Sequence, residues 1–457
     1  MNRELQTIFE KLSFCLETRK FADLRIILLD LEPADIAGFM ENNLDEKEQL
    51  VFFRLLPKEL ASDVFVNIET DTQERIIRAF TDKELKALID DMFLDDTVDV
   101  IEEMPANVVK RILKNSDPEN RKQINELLVY PDDSAGSIMT TEYVSLSATM
   151  SVESAFEKIR RTGVNKETIY TCYVTDRRKR LLGVVTVRDM LLANNQDLIA
   201  DIMDTNVITL KTMEDKEQVA LKFSKYDFIA MPVIDKEGCL VGIVTIDDAV
   251  DVIQEEATED IQKMAAVLPS EKPYLKQSVW SIWKARAPWL LLLMISATFT
   301  SMVLSYYETN LALIAGGALY AFVPMLMGTA GNAGNQTSVT VIRALALGEV
   351  QFKNLFKVIL KELLASLLLG LTVGIVCFLK LWLIDSLYNA VTIEIAVIVS
   401  SVLVLAIVMA KLVGCLLPLV AKKFKLDPAV VASPFMTTIV DVLSLIIYCT
   451  ISIALLG

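Results

Sequence analysis

The chain has 457 residues, a formal net charge of -15 and no histidine. The negative charge argues against nucleic acid as a partner, because proteins that bind a duplex cluster positive charge. The absence of histidine excludes histidine metal sites, histidine-based catalytic triads and imidazole proton relays. The 6 cysteines include no CxxC pair, so neither a zinc knuckle nor a disulfide framework is supported.

Residues 1–130 are predicted to be helical. Three segments repeat one pattern, in which an apolar residue and a proline precede apolar residues at helical spacing. These segments are "LEPADIAGFM" (31–40), "LPKELASDVF" (56–65) and "MPANVVKRIL" (104–113). The repetition predicts stacked helical hairpins that build an N-terminal α-helical superhelix.

Residues 131–252 carry a different repeat. The segment "YTCYVTDRRKRLLGVVTVRDM" (170–190) is echoed by "IAMPVIDKEGCLVGIVTIDDA" (229–249). Each copy has a short apolar strand, a charged turn, a second strand with a glycine, and Thr-x-x-Asp at the start of a helix. The repeat resembles a tandem pair of CBS domains with an α/β fold, here 131–200 and 201–252.

The Thr-x-x-Asp motifs have two interpretations. Threonine followed by an acid in the first turn is typical of a helix N-cap, which is a purely structural role. The resemblance to CBS domains implies a second role, in which the aspartate holds the ribose of an adenine nucleotide such as ATP. Two rings would sandwich the base, and an arginine would face the phosphates. The candidate residues are Tyr170, Thr186, Arg188, Asp189 and Phe228.

A connecting helix follows, at 253–282, and the acidic stretch that leads into it begins in the second repeat. Its carboxylates fall in two rows, Asp248, Asp251, Glu255 and Glu259 in one and Glu256 and Asp260 in the other. Only Lys263 balances them, although each like-charge pair destabilises a helix by about 0.2–0.5 kcal/mol. A solvated acidic surface and a divalent-cation site both explain the pattern. Carboxylates without histidine or cysteine suit Mg²⁺ or Ca²⁺. Further candidate ligands upstream are Asp91, Asp95, Asp215, Glu217 and Asp227.

Residues 283–457 are predicted to form a membrane domain of five helices. A span needs about 20 apolar residues. The predicted spans are 287–307, 311–331, 358–379, 395–420 and 429–457. Lysine and arginine concentrate in the loops after the second and fourth spans. This distribution predicts a cytoplasmic N-terminus and a C-terminus on the outer side.

The stretch "PMLMGTAGNAGNQTSVTVIRALALGEV" (324–350) is unusually polar for a membrane domain. Pro324 is expected to break the second span, since proline removes a helix hydrogen bond. Glycines three residues apart are typical of close helix packing. Packing does not account for Asn332, Asn335 and Gln336, because unmet polar groups at membrane depth cost several kcal/mol. The stretch is therefore predicted to line a pathway with irregular backbone.

The last span supplies a polar stripe that contains one acid. Ser433, Thr437, Asp441 and Ser444 follow each other at helical spacing. A lone carboxylate inside a span is a functional candidate. Asp427 lies 14 residues before Asp441, which is about 21 Å along a helix. The two acids are predicted to mark the mouth and the middle of one route. With no neighbouring lysine or arginine predicted to neutralise Asp441, its natural partner is a passing cation.

The amide stretch, the "EEATEDIQK" helix, the segment "DPAVVASPFMTTIVDV" and the domain order resemble the MgtE-type magnesium transporters. The resemblance covers essentially the whole chain. It implies a homodimeric, Mg²⁺-selective channel whose pore closes when Mg²⁺ binds acids of the N-terminal, CBS-like and connecting-helix regions. It places Asp441 at the ion-coordinating position, Asp427 at the mouth, and Asn332, Asn335 and Gln336 in the pore. It assigns Glu256, Glu259 and Asp260 to the acidic connecting helix, with Asp248 and Asp251 before it.

The fold class predicted from the sequence is therefore a multidomain membrane protein in contact with lipid. Its order is a helical superhelix, a CBS-like pair, an acidic connecting helix and a five-helix membrane domain. The residues leave one alternative open, a transporter of Co²⁺ or Mn²⁺ with nucleotide regulation. An enzyme is not supported, because no pair of nucleophile and base appears in the sequence.

Overall fold

A computed structural model describes residues 3–270, 274–313, 315–386 and 391–456. The side chains of 3, 4, 59, 165, 309–313, 315–318 and 431–434 lie outside this description. The chain divides into two compact units, Met1–Ile253 and Gln254–Gly457. Helices and strands are numbered below in chain order.

The N-terminal unit begins with short helices, whose starts are fixed by local signals. Asp45 and Thr81 form capping boxes with Glu48 and Glu84, so that side chains satisfy the first backbone N–H groups. Pro33 is the first helical residue of its helix, where proline costs no hydrogen bond. The helices are α1 (Arg3–Glu17), α2 (Phe21–Leu29), α3 (Pro33–Asn43), α4 (Glu46–Leu55), α5 (Lys58–Val66), α6 (Thr70–Ala79), α7 (Asp82–Ile89), α8 (Leu94–Glu103), α9 (Ala106–Asn115) and α10 (Pro118–Leu127).

A continuous apolar core holds these helices together. Phe39 packs between the rings of Phe9 and Phe52, at centroid distances of 5.2 and 5.5 Å. The same core extends to buried residues of the second CBS-like repeat, such as Phe223 and Val233. The helical region and the second repeat therefore share one hydrophobic core, and the predicted helical fold of the N-terminal region is confirmed.

Two three-stranded sheets of identical topology follow. In each sheet the first two strands are parallel and the second and third are antiparallel. The strands are β1 (Tyr143–Ser147), β2 (Thr168–Thr175), β3 (Leu181–Thr186), β4 (Leu210–Lys211), β5 (Ala230–Ile234) and β6 (Leu240–Thr245). The accompanying helices are α11 (Val152–Thr162), α12 (Val187–Leu192), α13 (Ile199–Ile202), α14 (Lys216–Tyr226) and α15 (Ile246–Met264). The predicted α/β repeat is confirmed.

The glycine in the third strand of each sheet has a steric reason. A Cβ on Gly183 would lie 2.7 Å from the carbonyl oxygen of Asp204, and one on Gly242 would lie 2.8 Å from that of Thr140. The segment that precedes each repeat thus packs against the other repeat. Only glycine permits this close backbone approach.

The described residues of the C-terminal unit include five long helices. They are α16 (Val279–Leu313), α17 (Val323–Ala346), α18 (Leu355–Lys380), α19 (Ile393–Lys423) and α20 (Pro428–Leu456). Four described segments are long and apolar enough to cross a membrane, Val279–Glu308, Phe352–Asp385, Ile393–Lys423 and Phe435–Leu456. The fifth long helix, α17, carries the amide stretch. The predicted multidomain membrane fold is confirmed.

The predicted boundaries of the second span, 311–331, are wrong. Residues Ala315–Phe322 form a 3₁₀ helix, and α17 starts only at Val323. Pro324 does not break this helix, because it occupies the first turn, where a missing N–H is harmless. The amide stretch is therefore regular helix rather than irregular backbone.

Two glycines bring α17 and α19 into backbone contact. A Cβ on Gly414 would collide with the carbonyl oxygen of Gly334, and one on Gly334 would lie 3.0 Å from the carbonyl oxygen of Ala410. The predicted packing role of the α17 glycines holds for Gly334. Gly328 differs, because a Cβ there would meet nothing within 4 Å.

Candidate ion pathway and metal sites

The carboxylate of Asp441 faces the amide-bearing helix α17. A Cβ built on Gly331 would lie 4.0 Å from Asp441 Oδ1. Asp441 is half-buried, and no residue in the described part of the chain forms an ion pair with it. Of the predicted stripe, Thr437 is half-buried and Ser444 is fully buried. Ser433 lies outside the described side chains. The helix thus presents a carboxylate that lacks a charged partner among the described residues.

The amides of α17 do not all point the same way. Asn332 and Gln336 are exposed in the single chain, whereas Asn335 is half-buried. The Asn335 Oδ1 atom has no hydrogen-bond partner among the described residues, and the same holds for the Ser338 hydroxyl. A buried polar atom without a partner costs about 1–3 kcal/mol. This helix therefore offers hydrogen-bonding capacity that the described part of the chain does not satisfy.

A buried ion pair lies beside the same helix. Lys411 Nζ of α19 is 3.2 Å from Glu362 Oε2 of α18, and the Thr337 hydroxyl of α17 donates to that oxygen at 3.1 Å. This pair was not predicted from the sequence. A lysine in an apolar block and a glutamate at the corresponding depth of the preceding span were the available signals. Lys411 is thus a membrane lysine, but it pairs with Glu362.

Asp427, the residue before α20, meets α15. Lys263 Nζ is 2.8 Å from Asp427 Oδ2 and 2.7 Å from Glu259 Oε1. Burial alone would lower the pKa of Lys263, but its bonds to Asp427 and Glu259 raise it. Burial and the nearby Asp427 raise the pKa of Asp260. Three carboxylates therefore gather around one ammonium group next to the start of α20.

A carboxylate cluster lies in the N-terminal unit. Asp95, Glu142 and Glu167 each offer an oxygen atom, and these atoms lie within 4.8 Å of one another. Glu142 and Glu167 precede the parallel strands β1 and β2, which pair at Tyr143 and Thr168. The Glu167 N–H donates to the Glu142 carbonyl at 2.9 Å, so the pairing sets both side chains next to each other.

Burial raises the pKa values of the carboxyl groups in this cluster, and repulsion between neighbouring acids adds to this at Asp95 and Glu167. Burial, helped by the Asp96 and Glu142 charges, raises the pKa of Asp95 to about 7. Burial and several neighbouring acids raise the pKa of Glu167 to about 8. Asp248 at the start of α15 joins the same group, since burial above all raises its pKa to about 7.

The donor set fits a hard divalent cation. It consists of carboxylate oxygens, and no lysine or arginine within the described ranges lies at ion-pair distance from Asp95, Glu142 or Glu167. Such oxygen ligands suit Mg²⁺ or Ca²⁺. Asp95 and Asp248 were predicted from the sequence, whereas Glu142 and Glu167 were missed. Each of the missed residues is a single glutamate directly before a strand, and only the parallel pairing makes them neighbours.

The remaining predicted ligands lie elsewhere. Asp91 accepts a hydrogen bond from Ser62 at 3.2 Å. Asp215 caps α14, where it accepts from the Glu217 N–H at 3.0 Å, and Asp227 ends the same helix with φ 54°. Burial and the Asp247 charge raise the pKa of Asp251. In this structure Asp215 and Asp227 are the N-cap and the C-cap of α14.

Of the predicted nucleotide-binding residues, two form a helix cap, two are exposed and one stacks on a neighbouring ring. Thr186 and Asp189 form a capping box at the start of α12, with the Asp189 N–H donating to Thr186 Oγ1 at 3.1 Å. Arg188 is exposed, and so is Tyr170. Phe228 stacks on Tyr226 at 5.9 Å. The described contacts therefore include the cap, whereas a base sandwich of Tyr170 and Phe228 stays a prediction.

The raised pKa values predict a pH-dependent stability for a fragment of residues 1–270. Unfolded carboxylates titrate near pH 4 and these folded ones near pH 7–8. Between those limits the folded state binds more protons, so stability falls as pH rises. Without divalent ions, the free energy of unfolding should drop by several kcal/mol from pH 5 to pH 8, since one carboxyl group shifted from about 4 to about 7 already accounts for about 3 kcal/mol. Denaturant unfolding followed by circular dichroism measures it.

Millimolar Mg²⁺ should remove most of that drop, because a dication compensates the ionised carboxylates. Glu167→Gln should flatten the profile without Mg²⁺, whereas Glu237→Gln, at an exposed turn, should not. Equal slopes in all of these samples would contradict the cluster as the cause.

Comparison with known families gives consistent matches along the chain. A model described as a divalent cation transporter, MgtE, matches residues 323–451. A model of the MgtE intracellular N domain matches residues 31–133, and CBS domain models match 135–195 and 199–255. The successive matches follow the order of the helical region, the two sheets and the membrane helices.

Curated relatives and a solved structure extend these matches. The magnesium transporter MgtE of Thermus thermophilus is 36% identical over 437 residues, covering 95% of each chain. That of Bacillus subtilis is 30% identical and covers 99% of this chain and 98% of its own. The cytosolic domain of the Mg²⁺ channel MgtE, solved in complex with ATP, is 33% identical with a TM-score of 0.51. It covers 53% of this chain and 99% of its own length. The chain therefore belongs to the MgtE family of magnesium transporters.

Proposed function

We propose that this chain forms a Mg²⁺-selective channel that imports magnesium across the plasma membrane. The carrying observation is Asp441, a carboxylate in the membrane unit that faces Gly331 of the amide helix and has no charged partner among the described residues. A cation passing along α17 and α20 would supply the missing charge. The names of its curated relatives support magnesium as the cargo.

Selection in this proposal acts on the hydrated ion. Mg²⁺ gives up its water reluctantly, so the pore holds the hydration shell by hydrogen bonds from outside it. The groups for this task are Asn332, Asn335, Gln336 and the hydroxyl of Thr437. Ser433, one helical turn before Thr437 in the sequence, is a further candidate. The Asn335 Oδ1 has no hydrogen-bond partner among the described residues, which supports this role, since an ion's water molecule would satisfy it.

A homodimer completes the pore in this proposal. Asn332 and Gln336 are exposed in the single chain, although they lie on a helix of the membrane unit. A second copy would cover them and would bring a second Asp441 to the pathway. Two carboxylates would match one dication in charge and bind it while still letting it leave.

Asp441→Asn should abolish Mg²⁺ flux into liposomes, by at least about 100-fold, because the pathway loses its charge. The variant should still insert and assemble, since asparagine has nearly the same shape. Thr372→Ala serves as the control, because that hydroxyl bonds to its own helix. Normal flux through a correctly inserted Asp441→Asn protein would refute the assignment.

The same assay separates the alternative cargo. Co²⁺ and Mn²⁺ suit carboxylate ligands as well. If the concentration for half-maximal flux is lower for Co²⁺ or Mn²⁺ than for Mg²⁺, that ion is the cargo instead.

Closure by cytosolic Mg²⁺ is the regulatory part of the proposal. The acids lie in separate groups, with Asp95, Glu142, Glu167 and Asp248 in one and Glu259, Asp260 and Asp427 in another. Mg²⁺ that bridges carboxylates favours whichever state brings them together, so binding favours closure. Asp91, Asp215, Glu217, Asp227, Asp251 and Glu256 are further sensor candidates. The N-terminus is then cytoplasmic and the C-terminus lies on the outer side.

Neutralising the connecting helix tests this regulation. The triple variant Glu256→Gln, Glu259→Gln and Asp260→Asn should stay open at high cytosolic Mg²⁺, because its amides do not bridge the dication. Patch recordings against cytosolic Mg²⁺ should show the half-closing concentration rise about tenfold or more. A control triple at the exposed Glu153, Glu157 and Glu237 should close normally. Unchanged closure in the Glu256, Glu259 and Asp260 variant would show that these acids form a solvated surface and do not bind the regulatory ion.

Nucleotide binding by the CBS-like pair is a second proposed property. The supporting observations are the exposed Tyr170 and Arg188 around the Thr186–Asp189 cap, and the ATP complex of the solved relative. ATP should bind a fragment of residues 1–270, and Asp189→Ala should weaken it about tenfold. Asp201→Ala, a matched loss of an exposed aspartate, should not. Calorimetry without heat at millimolar ATP would leave the cap as structure only.

A further inference from the structure

The ion pair between Glu362 and Lys411 is outside the ion pathway described so far. It lies where three helices of the C-terminal unit meet, since the same Glu362 oxygen also accepts from the Thr337 hydroxyl. Lys411 is only 9% exposed and Thr337 only 2%. A lysine placed so deeply among apolar helices requires a role that outweighs its desolvation.

The position of Thr337 connects this pair to the amides. Thr337 directly follows Gln336 and lies two residues after Asn335. It is six residues from Gly331, the residue that faces Asp441, which is about 9 Å along a helix. Lys411 also follows Ala410, whose carbonyl oxygen packs against Gly334. The ion pair therefore adjoins the helix that carries the pore amides.

The charges of the pair have unequal consequences for a dication. Without Glu362, the Lys411 ammonium would stand uncompensated near the pathway and repel Mg²⁺. Without Lys411, a carboxylate would remain, which attracts Mg²⁺ or takes up a proton. Removing the negative member should therefore harm ion entry, and removing the positive member should not.

We infer that Glu362 is a positioning residue of the pathway, which cancels the Lys411 charge and holds the amide helix through Thr337. This inference rests on the proposed Mg²⁺ transport for its cargo. It adds to that proposal a residue that touches no transported ion. It also gives a reason for a buried lysine in a channel for cations, since the lysine is neutralised in place.

The test compares variants of the full chain in liposomes. Glu362→Gln should raise the Mg²⁺ concentration for half-maximal flux about tenfold, because the ammonium repels the ion. The double variant Glu362→Gln with Lys411→Met should return to within about twofold of the unchanged protein. Lys411→Met alone should not raise it. The matched control is Lys380→Met with Asp385→Asn, an ion pair of 2.9 Å at the far end of α18, and it should leave the value unchanged.

A purely structural role predicts a different pattern. It would lower the thermal unfolding midpoint and the maximal flux of all three variants, and leave the half-maximal concentration constant. That result would overturn the inference, as would a rise in Lys411→Met. Should Glu362→Gln fail to assemble, the exchanged pair Glu362→Lys with Lys411→Glu decides, since the inference expects a half-maximal concentration within about twofold of the unchanged protein. Absent Mg²⁺ flux in the unchanged protein would refute the proposed function itself.

Discussion

Compensation of negative charge away from water governs each part of this chain. Asp95, Glu142 and Glu167 crowd together with no described lysine or arginine at ion-pair distance, so they hold protons or require a cation from solution. Next to the start of α20, Lys263 supplies the compensation for Asp427. The charge of these carboxylates is thus compensated by protons or a cation from solution at the first site, and by a lysine of the protein at the second.

The membrane helices contain one carboxylate of each kind, compensated and uncompensated. Glu362 has its own ammonium partner, whereas Asp441 has none among the described residues. In a medium of low dielectric constant, a paired carboxylate is nearly neutral to its surroundings and an unpaired one attracts any mobile cation. In the proposed pathway, the pairing of Glu362 with Lys411 therefore leaves Asp441 as the acid that would meet a passing ion.

Local signals predicted the fold well. Repeated strands with glycine and Thr-x-x-Asp predicted two equivalent sheets, and prolines before apolar residues at helical spacing predicted the N-terminal helices. Pro324 was misinterpreted, since proline breaks a helix in the middle but starts one at its end, and the residue type does not distinguish the two. Glu142, Glu167 and the Glu362–Lys411 pair were missed because strand pairing and helix packing, rather than sequence proximity, bring them together.

The contact between Gly334 and Gly414 limits how this membrane unit can move. Where two backbones touch directly, there are no side chains whose rotation could absorb a shift, so α17 and α19 have few low-energy ways to slide past each other. A helix pair of this kind moves as one rigid body. Any widening of a pathway along α17 must then come from the opposite side of that helix, which the backbone contact leaves free to repack.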